Sequence, residues 1–199
     1  MKTIQSLFAL GLTTACALPA FAQDAAPTDS GLLGKRYVEA SFIVTDTQHV
    51  SETGYGLGAS VNMPITSNVD AGVLFTHNWS EGGDKANEFQ DLAGYFTVYQ
   101  VCGDFRPFAT ATLGYQWWAT SNDPWYQLDV GSEYLVTERL SVSAQVSWSE
   151  FLAGNWNGGE WGAGGRAHYW LTKNLATSAT AAYTEGGTWT YRLGVVFQF

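Results

Sequence analysis

The chain has 199 residues and a formal net charge of −9 at pH 7, with 18 acidic residues against nine basic ones. Nucleic-acid binding depends largely on lysine and arginine that neutralise phosphates, and this chain has no basic cluster. The composition therefore predicts no nucleic-acid partner, and the length predicts one domain.

The first 22 residues have the pattern of a secretory signal peptide. Lys2 gives a basic start, an apolar stretch runs from Ile4 to Leu18, and Ala20-Phe21-Ala22 forms a small-x-small cleavage site. We therefore expect residues 1–22 to be removed on export and residues 23–36 to form a short periplasmic tail. No run of about 18 apolar residues follows, so we expect no transmembrane helix.

From residue 37 onward, turn residues divide the chain into about ten segments in which apolar and polar residues alternate, as in β-strands. In the seventh segment, Leu140, Val142 and Val146 share one face, and the other face carries only serine and glutamine. The predicted strands are 37–46, 54–65, 69–79, 89–101, 106–118, 125–136, 140–150, 160–172, 174–184 and 188–199. Eight strands are the alternative, if the pair near 89–118 does not form as two strands.

The residues on the polar faces decide between a membrane barrel and a soluble β-protein. A soluble barrel or sandwich exposes many charged residues, whereas only 14% of this chain is charged, against about 25% in typical soluble domains. The polar faces carry mainly serine, threonine, glycine and asparagine, which suit a lumen, and the opposite faces suit lipid. We predict an all-β protein, a closed antiparallel transmembrane β-barrel over residues 37–199.

Three turns repeat the pattern Thr-x-Asn/Arg-aliphatic, at residues 66–69, 137–140 and 172–175. We interpret these as tight periplasmic turns and the alternate connections as extracellular loops. An even number of strands then places both termini in the periplasm.

Aromatic residues on the lipid faces stand at the loop ends of their strands, as in the aromatic girdle of a membrane barrel. Sandwich-core packing is the alternative explanation. The predicted girdle consists of Tyr55, Trp79, Trp117, Tyr126, Trp148, Trp161, Tyr183 and Trp189.

The secretory signal, the Thr-x-Asn-Leu turn and the alternating C-terminal run from Tyr191 to Phe199 together resemble the small outer-membrane barrels of the OmpA, OmpX and opacity type, within the porin-like superfamily. About two extra strands distinguish this chain from the eight-stranded members. The resemblance implies outer-membrane lipid as surroundings, and a C-terminal insertion signal, Tyr191, Phe197 and Phe199, for the barrel assembly machinery.

The predicted lumen faces carry acidic and basic residues that need partners or water, because an isolated buried charge is costly. We expect Asp129, Arg166 and Arg192 to form a salt-bridge network near mid-strand. This network either plugs the barrel or lines a narrow channel that favours cations. The lumen charges are Glu39, Asp70, Asp91, Asp129, Glu133, Arg166, His168 and Arg192.

The sequence predicts no catalytic residues, cofactor or metal. Lipid A deacylases use a His-x-Ser pair, and Trp170 stands where that serine would be in the segment that begins at His168. An omptin-type protease site lacks a convincing pair of acids with a base. The three histidines are far apart and Cys102 would be the one cysteine left after export, so no metal-ligand spacing can be written.

We therefore predict a non-enzymatic outer-membrane protein of the cell envelope, either structural or a narrow porin-like channel for small ions or solutes. A surface adhesin or receptor is the alternative. It would act through loops such as 154–159, which exposes Trp156, and 119–125, with Trp125 at its edge.

Overall fold

A computed structural model describes residues 30–47, 53–80, 88–118, 122–153 and 158–199. The predicted signal peptide and Trp156 lie outside these residues. None of the described residues belongs to a helix that is long and apolar enough to cross a bilayer.

The described chain forms ten β-strands, as the alternation predicted. Their bounds are β1 Tyr37–Thr47, β2 Thr53–Thr66, β3 Val69–Ser80, β4 Phe89–Tyr99, β5 Phe105–Trp118, β6 Asn122–Leu135, β7 Leu140–Phe151, β8 Glu160–Trp170, β9 Leu175–Thr184 and β10 Thr188–Gln198. Most predicted bounds differ from these by one or two residues. The start of β6 was the largest error at a strand start, because β6 begins three residues earlier than expected.

All ten strands pair antiparallel with their chain neighbours, and β1 pairs with β10 to close the barrel. The closing pair runs in unbroken register from Tyr37 opposite Gln198 to Thr47 opposite Thr188. β4 and β5 also pair in unbroken register, so the eight-stranded alternative is wrong. The closed ten-stranded barrel confirms the predicted fold.

The two ends of the barrel differ in their connections. We call the end with the connections 67–68, 100–104, 136–139 and 171–174 the turn end, and the opposite end the loop end. Each repeated threonine caps its own turn: the hydroxyl oxygens of Thr66, Thr137 and Thr172 accept backbone N–H bonds from the residue two positions later, at 3.2–3.3 Å. Short polar side chains favour turns in this way. β1 begins and β10 ends at the turn end.

The barrel is apolar outside and polar inside, the reverse of a soluble domain. On the strands, the exposed large hydrophobic side chains all belong to the residue set that points outward, such as Phe96, Val130 and Leu193. Among the described residues, buried polar or charged side chains are twice as many as buried hydrophobic ones. Closure satisfies the backbone groups of every strand, which a wall in contact with lipid requires.

Candidate functional site

The lumen is crossed at the turn end by residues 30–36, which we call the strap. The sequence analysis assigned these residues to a periplasmic tail, and their place inside the barrel end was not foreseen. The side chains of Ser30, Leu32 and Lys35 are buried there. Gly34 allows the strap to bend, because its φ of +81° lies in a region that side chains with a Cβ rarely adopt.

Hydrogen bonds tie the strap to strands around the ring. The Ser30 hydroxyl donates to the Leu140 carbonyl (2.9 Å), and the Trp170 indole N–H donates to the Ser30 carbonyl (2.8 Å). Further on, the Leu32 N–H donates to Glu133 Oε1 (2.8 Å) and the Gly34 N–H donates to Asp70 Oδ2 (2.9 Å). The strap thus bridges β7 and β8 to β6 and β3.

An apolar cluster that includes a residue of the strap fills the same end of the lumen. Leu32 packs with four inward-facing wall residues, Tyr37, Trp170, Ala176 and Val196. The ammonium of Lys35 lies 4.6 Å from the centre of the Trp170 ring, a cation–π contact. A ten-stranded barrel is slightly wider than one that wall side chains alone fill. The side chains of the strap fill the space that the wall side chains leave in the lumen.

Glu133 lies at the centre of this buried region. Besides Leu32, it accepts a weak bond from the Ser141 hydroxyl (3.4 Å) and forms an ion pair with Arg106 (4.0 Å). Both charged side chains are less than 10% exposed. Arg106 is a lumen charge that was not predicted, although its position at the start of the predicted strand 106–118 assigns it to the inner face.

The expected salt-bridge network at mid-barrel forms only in part. Arg166 forms an ion pair with Glu39, whose other carboxylate oxygen accepts a hydrogen bond from the Ser178 hydroxyl (2.5 Å). These residues belong to β8, β1 and β9, so the contact reaches past β9 and β10 along the inner wall. Arg192 also faces inward, but none of the described residues forms an ion pair with it, and its side chain is exposed to the lumen.

Asp129 does not join this network, and that part of the prediction is wrong. Its Oδ1 accepts hydrogen bonds from the side-chain amides of Gln127 (2.8 Å) and Gln145 (3.0 Å). Both donors stand on β6 and β7, beside Asp129, whereas Arg166 and Arg192 stand on β8 and β10. The carboxylate is therefore paired with the two nearby amides and not with either guanidinium.

His168 is 3% exposed on the inner face of β8, and neither of its ring nitrogens has a hydrogen-bond partner within the described ranges. In the part of the chain that the structure describes, no group of three His, Cys, Asp or Glu side chains is arranged to hold a metal ion. Cys102 is a free thiol exposed at the turn end.

At the loop end the lumen contains an open cavity of about 480 Å³. Asp91 lies on its wall and accepts hydrogen bonds from the Thr76 hydroxyl and the Trp125 indole N–H, both 3.2 Å long. Trp125 was expected at the edge of a loop, but it lies inside β6 and faces inward. Its ring covers Gly114, where any side chain would collide with it.

Seven of the eight aromatic residues predicted as a girdle lie next to another aromatic ring. Tyr55 faces Trp79 across β2 and β3, and Trp148 packs edge-on against Trp161 with ring centres 5.0 Å apart. Tyr183 and Trp189 are 5.1 Å apart. All eight belong to the outward-facing set of their strands and stand toward the loop end. Their place at a membrane interface stays a prediction.

The C-terminal residues from Tyr191 to Phe199 face the sides that the alternation predicted. Tyr191 and Phe197 face outward on β10, and the Phe199 N–H donates to the Arg36 carbonyl (3.2 Å). The last residue is thus bonded to the end of the strap.

No family model and no curated protein matches the sequence. Among solved structures, the chain is similar to the KdgM porin in complex with disordered oligogalacturonate, at 12% identity over 82% of this chain and 99% of that chain, with a TM-score of 0.48. It is similar to the beta domain of the Bordetella autotransporter BrkA at 12% identity, over 83% and 99% of the two chains, with a TM-score of 0.49. The third is Neisserial surface protein A, at 14% identity over 82% and 97%, with a TM-score of 0.44.

Proposed function

We propose that this chain is a non-enzymatic outer-membrane protein that serves as a structural element of the cell envelope, with a lumen held closed by its own strap. The observation that carries the proposal is the buried strap, which lies across the turn end and is bonded to five strands: the four named above and β2, whose Asn62 amide donates to the Lys35 carbonyl (2.8 Å). The apolar outer wall supports the membrane location, because such a wall is stable in lipid and prone to association in water.

The contacts of the strap support a closed resting state. The N–H groups of Leu32 and Gly34 are bonded to the carboxylates of Glu133 and Asp70, which are 3% and 2% exposed. Removing the strap would take one backbone donor from each carboxylate, and a hydrogen bond to a charged group is worth about 1.5–3 kcal/mol. Glu133 would keep Ser141 and Arg106, and Asp70 would keep the Asn62 amide (3.2 Å). It would also expose Leu32 and the four apolar residues around it.

A gated, cation-favouring pore is the second candidate. The strap directly precedes β1 and belongs to no strand, so it can leave without breaking the wall. Above it, the cavity at the loop end is lined by the acidic residues Asp91, Glu160 and Glu185. A lumen with this charge attracts cations when it conducts.

Conductance in planar bilayers tests both candidates. We would compare the chain from residue 23 with two variants, a chain from residue 37 and Gly34→Val in the longer chain. Gly34→Val acts on the strap directly, because a Cβ at Gly34 would stand 2.8 Å from the Tyr99 hydroxyl and require a strained φ. Heat-modifiable migration on gels would establish that each variant is a folded barrel.

Silence of the longer chain with discrete steps in both variants supports a closed lumen and favours the gated pore. Silence of all three folded barrels supports the structural role and removes the pore. Equal, steady conductance of all three would overturn the proposal that the strap closes the lumen.

The adhesin alternative stays a prediction, since residues 154–157 lie outside the described chain. Deleting 154–159 would abolish cell-surface binding under that hypothesis and leave conductance unchanged.

A further inference from the structure

The cavity at the loop end contains more hydrogen-bond acceptors than donors. Its walls carry the carboxylates of Asp91, Glu160 and Glu185. Two of the donors beside them are already used: the Trp125 indole N–H is bonded to Asp91, and the Gln127 amide is bonded to Asp129. Glu160 accepts a backbone N–H bond from Gly186 (2.6 Å), which fixes this carboxylate at the rim.

Gln116 points to a missing partner. Its side chain is 7% exposed on the inner face of β5 and lines the cavity, yet no residue in the described ranges donates a hydrogen bond to its buried carbonyl oxygen Oε1. Buried side-chain oxygens are nearly always bonded, and leaving one unpaired is costly. A ligand that brings an N–H group to this oxygen would satisfy it.

The electrostatics of the cavity select a positive ligand. Asp91 faces Gln116 directly across the β4–β5 pair, and Asp123, also buried, faces Gln116 across the β5–β6 pair. Gln116 therefore stands between two acidic residues on the neighbouring strands, and its side chain is hydrogen-bonded to one of them, Asp91. A donor that also carries positive charge would bond Gln116 and be stabilised by both acids.

The shape and the walls favour an organic cation over a bare metal ion. Metal ions such as Mg²⁺ need several oxygen ligands in a compact shell, and the described chain brings together no such group. The cavity of about 480 Å³ has the Trp125 and Phe151 side chains in its wall, which offer contact to hydrocarbon and, in the indole, a face for a cation. This volume is within the range of small-molecule sites.

We propose that the loop-end cavity binds a small organic cation with ammonium groups on a hydrocarbon chain, that is, an amine of the polyamine class. One ammonium group donates to Gln116 Oε1 and lies against Asp91, beside the face of Trp125. A second ammonium group reaches the rim carboxylates Glu160 and Glu185. The site does not depend on whether the lumen conducts.

Titration calorimetry of the folded full chain in detergent, with spermidine as the probe, tests this assignment. We expect saturable binding, with Gln116→Leu and Asp91→Asn each weakening it roughly tenfold to a hundredfold, the effect of losing a hydrogen bond to a charged group. Glu138→Gln removes one acidic charge at the turn end, far from the cavity, and should leave the affinity unchanged.

Two comparisons separate specific binding from general attraction between charges. Magnesium chloride at matched ionic strength should compete no better than sodium chloride, and 1,8-octanediol, a neutral chain of similar length, should not bind. Gln116→Leu also removes the side-chain hydrogen bond between Gln116 and Asp91, which keeps its Thr76 and Trp125 donors, so heat-modifiable migration should show a folded free variant while its affinity falls. Absence of saturable heat, equal competition by magnesium, or unchanged affinity in both variants would overturn the proposal.

Discussion

The backbone N–H of Leu32 donates a 2.8 Å hydrogen bond to Oε1 of Glu133, a residue 101 positions further along the chain. Glu133 stands on β6, which lies opposite β1 in the ring of ten strands. The strap begins beside β7 and β8 and leads into β1. One buried carboxylate on the far wall therefore helps to hold the strap across the lumen, and its removal should loosen the strap.

Glu133→Leu should release the strap, because it leaves the Leu32 N–H without an acceptor and Arg106 without its ion-pair partner. The rate at which a polar maleimide labels Ser30→Cys, in a Cys102→Ser background, reports the release, since Ser30 is fully buried in the parent. A loss of about 1–3 kcal/mol corresponds to labelling roughly fivefold to a hundredfold faster. Glu138→Leu on the exposed turn is the matched control. Equal labelling rates in the two variants would contradict the role assigned to Glu133.

Arg192→Glu should raise the cation preference of a barrel opened by removal of the strap. Arg192 is the inward arginine without an ion-pair partner among the described residues, so its charge acts on the lumen with little compensation. The reversal potential across a salt gradient measures the effect, and Arg192→Lys, which keeps the charge, should leave the selectivity unchanged. An unaltered reversal potential in Arg192→Glu would mean that ions do not pass this level of the lumen.

Leu193→Arg should destabilise the barrel in lipid by about 2–4 kcal/mol, the cost of placing a charge at the middle of a bilayer. Leu193 is 66% exposed and stands at mid-strand on the outer face of β10. Leu171→Arg, in a turn at one end, should cost only about 0–1 kcal/mol because the interface tolerates charge. Urea unfolding in lipid vesicles measures both. Equal, small effects would show that the outer wall is not in contact with lipid.

Deletion of Phe199 should reduce the amount of barrel assembled in cells, if the C-terminal strand is recognised by the assembly machinery. Phe199 makes one backbone hydrogen bond to Arg36, so the deletion should change the free energy of unfolding by only about 0.5–1.5 kcal/mol. Heat-modifiable protein in outer-membrane fractions and refolding of purified chain into detergent would be compared. A matching loss in both would assign the effect to stability and not to recognition.

The strands could be predicted from the sequence because a strand in a barrel has two chemically distinct faces and a fixed period of two. Leu193 and Arg192 follow each other in the chain, yet the alternation alone assigns the first to the outer wall and the second to the lumen. The repeated threonine turns could also be predicted, because the hydrogen bonds of their hydroxyl groups join residues only two positions apart.

Contacts across the lumen could not be predicted in this way. The face of Asp129 was correct but its partners were not, because partners depend on strand stagger and on the position of each strand around the ring. The alternation contains neither. The strap was missed because residues 30–36 have no strand period, and Leu32 becomes a buried residue only after the ring around it has closed. Its apolar side chains between Gly31 and Gly34 were the one local signal.

Among the described residues, a chord spans the turn end of the ring and none spans the loop end. A tube of hydrogen-bonded strands can flatten into an ellipse without breaking any bond in its wall, but a tie of fixed length between opposite sides resists that change. The ten-stranded wall is thus braced where Leu32 meets Glu133. Elastic deformation of the tube should concentrate at the other rim, where the acidic cavity opens, so the mouth should change shape more readily than the braced turn end.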